Sequence, residues 1–234
     1  MKEKKTSLLL ASQSPRRREL IALLGIDFDV ASADVDESIL PNETPANYVT
    51  RLAEAKAIPH PSLPQKGEGT VLPSGGVRGG RIIIGSDTAV VDAGEILGKP
   101  RDAREAESML RQLRGRTHQV YTAIAVYDET SQKIFSALSI SDVPMRDYSD
   151  AEIQSYIATG DPMDKAGGYA IQHPDFQPVV GFTGCFASVM GLPLCHLARI
   201  LREAGVPVDA KMPQRCQSTL NYACDVSDAI LRGE

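Results

Sequence analysis

Ser14-Pro15-Arg16-Arg17-Arg18 sets a hydroxyl, a proline and three guanidinium groups directly after the apolar run Leu8-Leu9-Leu10-Ala11. Pro15 suits the first position of a helix, where its missing N–H costs nothing and its fixed φ fits the turn. Ser14 is then the expected N-cap. A helix start carries unpaired N–H groups and a partial positive charge that attract anions. Arginine forks match phosphate oxygens. Taken alone, the stretch reads either as a phosphate cradle or as a capped surface helix with a solvated basic turn.

Asp87 interrupts a run of Ile and Val in Ile82-Ile-Ile-Gly-Ser-Asp-Thr-Ala-Val-Val91. A buried, unpartnered carboxylate there would cost several kcal/mol, on the order of that for any desolvated charge. Asp87 must therefore face a partner or a cleft, as a metal ligand, a general base or a hydrogen-bonded residue at a bulge. Gly85 would allow a backbone or a ligand to come close. Gly94-Glu-Ile-Leu-Gly-Lys99-Pro100 suggests a phosphate loop but fails the Walker pattern, leaving Lys99 as a single point charge. Asp164-Lys165 beside Gly167-Gly168 reads as a flexible site segment or as an ordinary turn with an ion pair. Arg51 and Lys56 share one helix, where Lys56 among alanines could snorkel from a packed face. Glu37, in the acidic run Asp34-Val-Asp-Glu37, is a candidate metal ligand or a solvated loop residue.

The four histidines (His60, His118, His173, His196) are scattered, and no nucleophile-elbow or similar triad motif appears. Four cysteines without a C-x-x-C pair argue for isolated thiols in a reducing compartment rather than structural zinc. A net charge of -5, no Trp and 5% aromatic residues argue against broad nucleic-acid binding. The lysines before Leu8 faintly resemble a secretory signal whose apolar core is too short. No apolar stretch approaches the roughly twenty residues of a membrane helix. A soluble, cytoplasmic protein is expected. Cations for phosphates, carboxylates for a hard divalent metal and no covalent nucleophile together suit metal-assisted hydrolysis of a phosphate anhydride.

These residues need elements to hold them. With 234 residues and 42% hydrophobic content, one domain with a full core is expected. The pattern gives a strand over Ser7–Ala11, a helix from Pro15 to Leu24, a strand at Phe28–Ala33 and a helix from Pro45 to Ile58 capped by Thr44. From Pro59 to Gly80 a glycine- and proline-rich surface insertion of poor order is expected. A strand over Arg81–Val91, broken at Gly85 and Ser86, turns back towards Ile96-Leu97. A helix follows Asp102, with Glu105 placed for a capping box. Two long strands, His118–Tyr127 and Lys133–Arg146, precede a helix capped by Ser149 and Glu152. The segment around Tyr169–Gln172 reads as a short strand, Phe186–Met190 as a last strand, and Pro193 opens a final helix. The domain so defined spans residues 1–206; the tail, 207–234, holds one weakly helical patch. Strands alternating with helices around a long antiparallel pair give an α/β fold with a mixed central sheet flanked by helices.

Ala11-Ser-Gln-Ser-Pro-Arg-Arg17, Gly85-Ser-Asp-Thr88, Leu97-Gly-Lys-Pro-Arg101, Asp164-Lys-Ala-Gly-Gly-Tyr-Ala-Ile-Gln172 and Val189-Met-Gly-Leu-Pro-Leu194 together resemble the Maf family of nucleoside triphosphate pyrophosphatases. The likeness runs in order from about Leu8 to about Leu201. It implies an inosine-triphosphatase-like fold with a cleft between two lobes, and hydrolysis of a nucleoside triphosphate to the monophosphate and diphosphate. It also implies Mg²⁺ or Mn²⁺ and a cytoplasmic homodimer. Carried over by motif, Asp87 would activate water and share the metal with Glu37, while Ser14, Arg17, Lys56, Lys99 and Lys165 would surround the triphosphate. Arg16, Thr88 and Gln172 would bear on base choice. Arg16 stands where the 7-methyl-GTP branch has Trp, which leans the resemblance to dTTP and UTP or modified pyrimidine nucleotides. The alternatives are a 7-methyl-GTP-type enzyme and a non-catalytic nucleotide-binding regulator of cell division. The chain departs from the family's pattern at Ser86, where Ala is usual, and at His173-Pro174, where Gly would follow Gln172.

Overall fold

Two apolar strands meet at the centre of the molecule. β1 (Ser7–Ala11) and β3 (Arg81–Asp92) run parallel, with Leu8, Leu9 and Leu10 opposite Ile82, Ile83 and Ile84. Both faces of this pair are covered, which is why it reads as continuous hydrophobic sequence rather than alternation. The computed structural model describes residues 7–59, 63 and 80–234. The lysines before Leu8, and the insertion expected from Pro59 to Gly80 apart from Pro59, Leu63 and Gly80, lie outside the described residues.

β2 (Phe28–Ala31) pairs parallel with β1 on its other side. β5 (Thr117–Asp128) pairs antiparallel with β3, and β6 (Lys133–Pro144) with β5. The short β4 (Glu95–Leu97) returns antiparallel on the end of β3. The result is an open mixed sheet in the order β2-β1-β3-β5-β6, flanked by helices. On one edge of β3, β1 covers Arg81 to Ile84 and β4 covers Val90 to Asp92. Gly85 to Ala89, with Asp87 in the middle, have no strand partner on that edge among the described residues.

The two faces of the sheet are packed differently. Leu8, Leu10, Ile82, Ile84 and Ile124 face a large core completed by α1 (Pro15–Ala22), α3 (Ala103–Leu113), α4 (Asp150–Ala158) and α6 (Leu194–Glu203). The opposite face meets α2 (Pro45–Ala57) through small side chains: Val49, Ala53 and Ala57 against Ala89, Ala123 and Ala125. Gly85 completes this close approach, since a Cβ there would lie 2.1 Å from the Ala53 carbonyl oxygen. The visitor that Gly85 admits is a helix backbone, and β3 runs unbroken through Gly85 and Ser86 where a break was expected.

Other expectations are corrected by local chemistry. β2 ends at Ala31 and α1 at Ala22, each shorter than the sequence suggests. The Ser14 hydroxyl caps no N–H of α1. Asp102 caps α3 as expected, but Glu105 turns to Arg101, taking its N–H at 2.6 Å and its Nε–H at 2.9 Å. A charge-assisted pair wins over the capping box there; at Ser149 and Glu152 the full box forms. Two 3₁₀ turns, Asp161–Asp164 and Ala166–Gly168, lead into Tyr169–Gln172, which forms no strand. Phe186–Val189 is one helical turn, α5, where a strand was expected. A four-residue segment is too short to carry a periodicity that separates the two.

The tail holds two helices, α7 (Met212–Leu220) and α8 (Ser227–Arg232). Met212 is fully buried in the main core. Arg215 donates from Nε to the Leu23 carbonyl at 2.9 Å and from Nη2 to the Leu24 carbonyl at 3.2 Å. α7 thus satisfies carbonyls left open at the end of α1 with a cation, which also suits the helix dipole.

Candidate active site

β1 ends at Ala11 and α1 begins at Pro15, so Ser12, Gln13 and Ser14 form a turn at the carboxyl end of β1. β1 has a parallel neighbour on each side; the chain leaves β1 towards β2 on one side and leaves β3 towards β5 on the other. In open α/β sheets such a switch point opens a crevice. Here the crevice continues over the uncovered edge of β3 into a cleft of about 800 Å³. Ser14, Arg16, Arg17, Glu37, Lys56, Asp87, Thr88, Lys99, Lys165 and Gln172, from six separate segments, all line it. Five cations face three carboxylates on its walls, so the cleft is basic within an acidic chain.

Asp87 is 7% exposed, and Lys56 reaches it from α2 with Nζ 2.7 Å from Oδ1. The same ammonium lies 2.7 Å from Oε1 of Glu37, on the loop after β2. Burial pushes the Asp87 carboxyl above the usual aspartate range, against the pull of Lys56 and Arg17. Burial also opposes ionisation of Glu37, but the Lys56 hydrogen bond and charge outweigh it and hold that carboxyl below its usual value. Among the described residues, no three His, Cys, Asp or Glu side chains converge as a preformed cation site. Two carboxylates do meet, at Lys56. Mg²⁺ is commonly held by one or two carboxylates plus substrate phosphates. The donor set therefore fits a cation that arrives with a nucleotide.

Arg17 is largely committed to the protein. Its Nε donates to the Gly191 carbonyl at 2.9 Å, Nη1 to the Ser86 carbonyl at 2.8 Å and to Ser12 Oγ at 3.4 Å, and Nη2 to Thr88 Oγ1 at 3.2 Å. These bonds use four of its five N–H groups and tie α1 to the strand that carries Asp87. Burial lowers its pKa from the ordinary arginine value. Gly191, at φ 109°, is required here: a Cβ would lie 3.2 Å from Arg17 Nε. Ser86, the departure from the family's pattern, sets its hydroxyl 2.8 Å from the same Gly191 carbonyl. The Thr88 hydroxyl is shared between Arg17 and Thr122, the latter at 3.1 Å.

Across the cleft, Lys165 Nζ donates to the Asp161 carbonyl at 2.6 Å, to Asp161 Oδ1 at 2.8 Å and to Asp164 Oδ1 at 2.6 Å. Arg16 Nη1 lies 3.9 Å from the other Asp164 oxygen. Gln172 stands where the cleft meets a second cavity of about 500 Å³, bordered by Leu220 of α7. Sequence reasoning passed over Asp161, Tyr48 and the Gly191 carbonyl. Asp161 had a visible signal, a carboxylate four residues before Lys165; the Gly191 carbonyl had none.

The family model described as Maf-like protein matches residues 7–204. A dTTP/UTP pyrophosphatase of Geotalea uraniireducens is 44% identical over 88% of this chain and 98% of its own length. Proteins with the same description from Geobacter sulfurreducens (42% identical, 86% of this chain, 98% of the relative) and Hahella chejuensis (43%, 86%, 94%) are similar over nearly the same span. With a match of that extent laid over this cleft, the chain belongs to the Maf-like protein family.

Proposed function

We propose that the cleft hydrolyses a pyrimidine nucleoside triphosphate, dTTP or UTP, to the nucleoside monophosphate and pyrophosphate. The observation that carries this reading is a buried carboxylate, Asp87, set among Lys56, Lys99, Lys165, Arg16 and Arg17 in one cleft. Asp87 takes a proton from water, the water oxygen bonds to the α-phosphorus, and the bond from that phosphorus to the bridging oxygen breaks. Pyrophosphate leaves with its charge offset by the lysines. Glu37 and Asp87 would hold Mg²⁺ or Mn²⁺, which when bound polarises phosphate oxygens and lowers the pKa of water. Arg17 orients the α1 start against β3, so that Ser14 and Arg16 face the nucleotide. The substrates in the relatives' names, together with Arg16, support the choice of base.

We take residues 1–206 as the catalytic domain and 207–234 as a tail docked on it. The family resemblance supports a cytoplasmic homodimer; among the described residues no helix is long and apolar enough to cross a membrane. Pyrophosphate release measured across dTTP, UTP, other natural triphosphates and 7-methyl-GTP, with Mg²⁺ and with Mn²⁺, tests the reading. Turnover highest on dTTP and UTP is expected. Turnover of 7-methyl-GTP alone, or nucleotide binding without release of pyrophosphate, would overturn it.

A further inference from the structure

The loop that carries Glu37 has little apolar anchorage beyond Ala33 at its start, which packs partly against Leu9, Ala11 and Ile83. From Ser32 to Thr44 no residue is buried, and its two large aliphatic side chains, Ile39 and Leu40, are 53% and 49% exposed. A segment with so little apolar burial depends on its polar contacts. From Glu37 to Glu43 the contacts that reach beyond the loop come from one side of α2. Tyr48 donates its hydroxyl to the Glu37 carbonyl at 3.1 Å. Arg51 donates from Nη2 to the Ser38 carbonyl at 2.9 Å, and grips Glu43 bidentately through Nε at 2.6 Å and Nη2 at 2.8 Å. Glu43 in turn accepts the Leu40 N–H at 3.0 Å. The Arg51 guanidinium also lies 5.7 Å over the Tyr48 ring. Lys56, further along the same helix, supplies the third grip at the Glu37 carboxylate itself.

We propose that Arg51 is a positioning residue for the metal-binding half of the cleft. It pins both ends of the turn from Ser38 to Glu43 and so fixes Glu37 opposite Asp87. α2 then works as a ruler: it packs on β3 at Gly85, two residues before Asp87, and holds Glu37 from the same backbone. A bidentate arginine–carboxylate pair is geometrically specific, so a lysine would keep the charge but lose the fork. The inference rests on the reading of Glu37 and Asp87 as metal ligands, and it adds a residue that touches neither metal nor nucleotide. The hydrogen bonds of Arg51 all go to the loop, and Tyr48, the one ring it lies over, is only partly buried at the edge of the α2 core, so its loss should loosen the loop while the fold stays intact.

The test compares wild type with Arg51→Ala, Arg51→Lys and Glu43→Gln. Three measurements are made on each: thermal midpoint, amide exchange over residues 36–43, and Mn²⁺ binding by water-proton relaxation with a non-hydrolysable α,β-methylene dTTP. For Arg51→Ala we expect a nearly unchanged thermal midpoint and faster exchange at Ser38 and Leu40. Mn²⁺ should bind about tenfold more weakly, about 1.4 kcal/mol, and kcat should fall more than nucleotide KM rises. Arg51→Lys should recover only part of the Mn²⁺ affinity, and Glu43→Gln should follow Arg51→Ala in direction. If Arg51→Ala unfolds, Glu43→Gln carries the same comparison. Wild-type exchange and Mn²⁺ affinity in Arg51→Ala or Glu43→Gln would overturn the proposal. A wild type that binds no Mn²⁺ would instead overturn the metal reading beneath it, and the role of Arg51 with it; pyrophosphate release by the wild type reports on the catalytic reading separately.

Discussion

Lys56 Nζ and Asp87 Oδ1 stand 2.7 Å apart across the packing seam of α2 and β3, and the same ammonium lies equally close to Glu37. A lysine expected to meet phosphate is thus seated between two carboxylates. Such a pair is costly to desolvate and costly to break. Lys56 limits the rise that burial imposes on the Asp87 carboxyl, keeping a base in the cleft ionised as pH falls. It also holds Glu37 and Asp87 together at one point.

Asp87→Asn keeps the shape of this corner and removes the proton acceptor. Its kcat should fall by about 10²–10⁴-fold, while binding of a non-hydrolysable nucleotide changes little. The thermal midpoint should not drop by much, because Lys56 keeps its pairing with Glu37 and the amide oxygen can still accept from it. Pyrophosphate release with calorimetric binding checks both; wild-type kcat in the variant would remove Asp87 from the role of base.

The pH dependence follows from the direction of the Asp87 shift. The base works only when ionised, and burial raises its pKa, so kcat/KM should decline on the acid side at a pH above the ordinary aspartate value. Lys56→Met removes the strongest opposing influence. The acid limb should therefore move to higher pH, with the loss of activity greatest at low pH. An acid limb that stays in place, measured by kcat/KM from pH 4.5 to 9, would show that Lys56 does not tune Asp87.

Chelation should abolish turnover. EDTA is expected to stop pyrophosphate release, and excess Mg²⁺ or Mn²⁺ to restore it. Glu37→Gln should raise the metal concentration needed for half-maximal rate while leaving the thermal midpoint nearly unchanged, since the Glu37 side chain is 56% exposed. Full activity in EDTA would rule out a dissociable metal.

Gly85→Ala asks how tight the seam behind the site is. An added Cβ would fall 2.1 Å from the Ala53 carbonyl and 2.8 Å from the Ala57 nitrogen, both backbone atoms. The helix must retreat, at a cost of about 1–3 kcal/mol for overpacking. It would carry Lys56 away from Asp87 as it moves. Thermal unfolding should show the loss of stability and steady-state assays a lower kcat; a variant as stable and as active as wild type would mean that α2 shifts freely.

Short-range patterns were legible wherever one residue type dictates geometry: Thr44 and Pro45 opening α2, the Ser149–Glu152 box, and the alternation through β5 and β6. Asp87, Glu37, Lys99 and Lys165 were legible as charged residues in telling settings, whereas Thr88 and Gln172 were named by the family resemblance alone; the fold brings all ten to one cleft. What stayed hidden depends on partners far along the chain. The carbonyl of Gly191 that holds Arg17 is 174 residues away, and the carbonyls that receive Arg215 are more than 190 residues before it. No local pattern encodes them. The continuity of β3 through Gly85 was misread because a glycine in a strand signals a bend as readily as a close neighbour.

Asp164 gives the last prediction. It shares Lys165 Nζ at 2.6 Å and lies 3.9 Å from Arg16, so its carboxylate sits on two cations that a triphosphate would claim. Phosphate oxygens must compete with it for both. Its side chain is 65% exposed, and an exposed pair of this kind is worth about 0.2–1 kcal/mol. Asp161 keeps Lys165 in place through a carbonyl and a carboxylate oxygen, so removing the Asp164 charge should not release the lysine. Asp164→Asn should therefore lower nucleotide KM by no more than about fivefold, with kcat unchanged. A KM that rises instead would mean that Asp164 orients Lys165 for phosphate rather than competing with it.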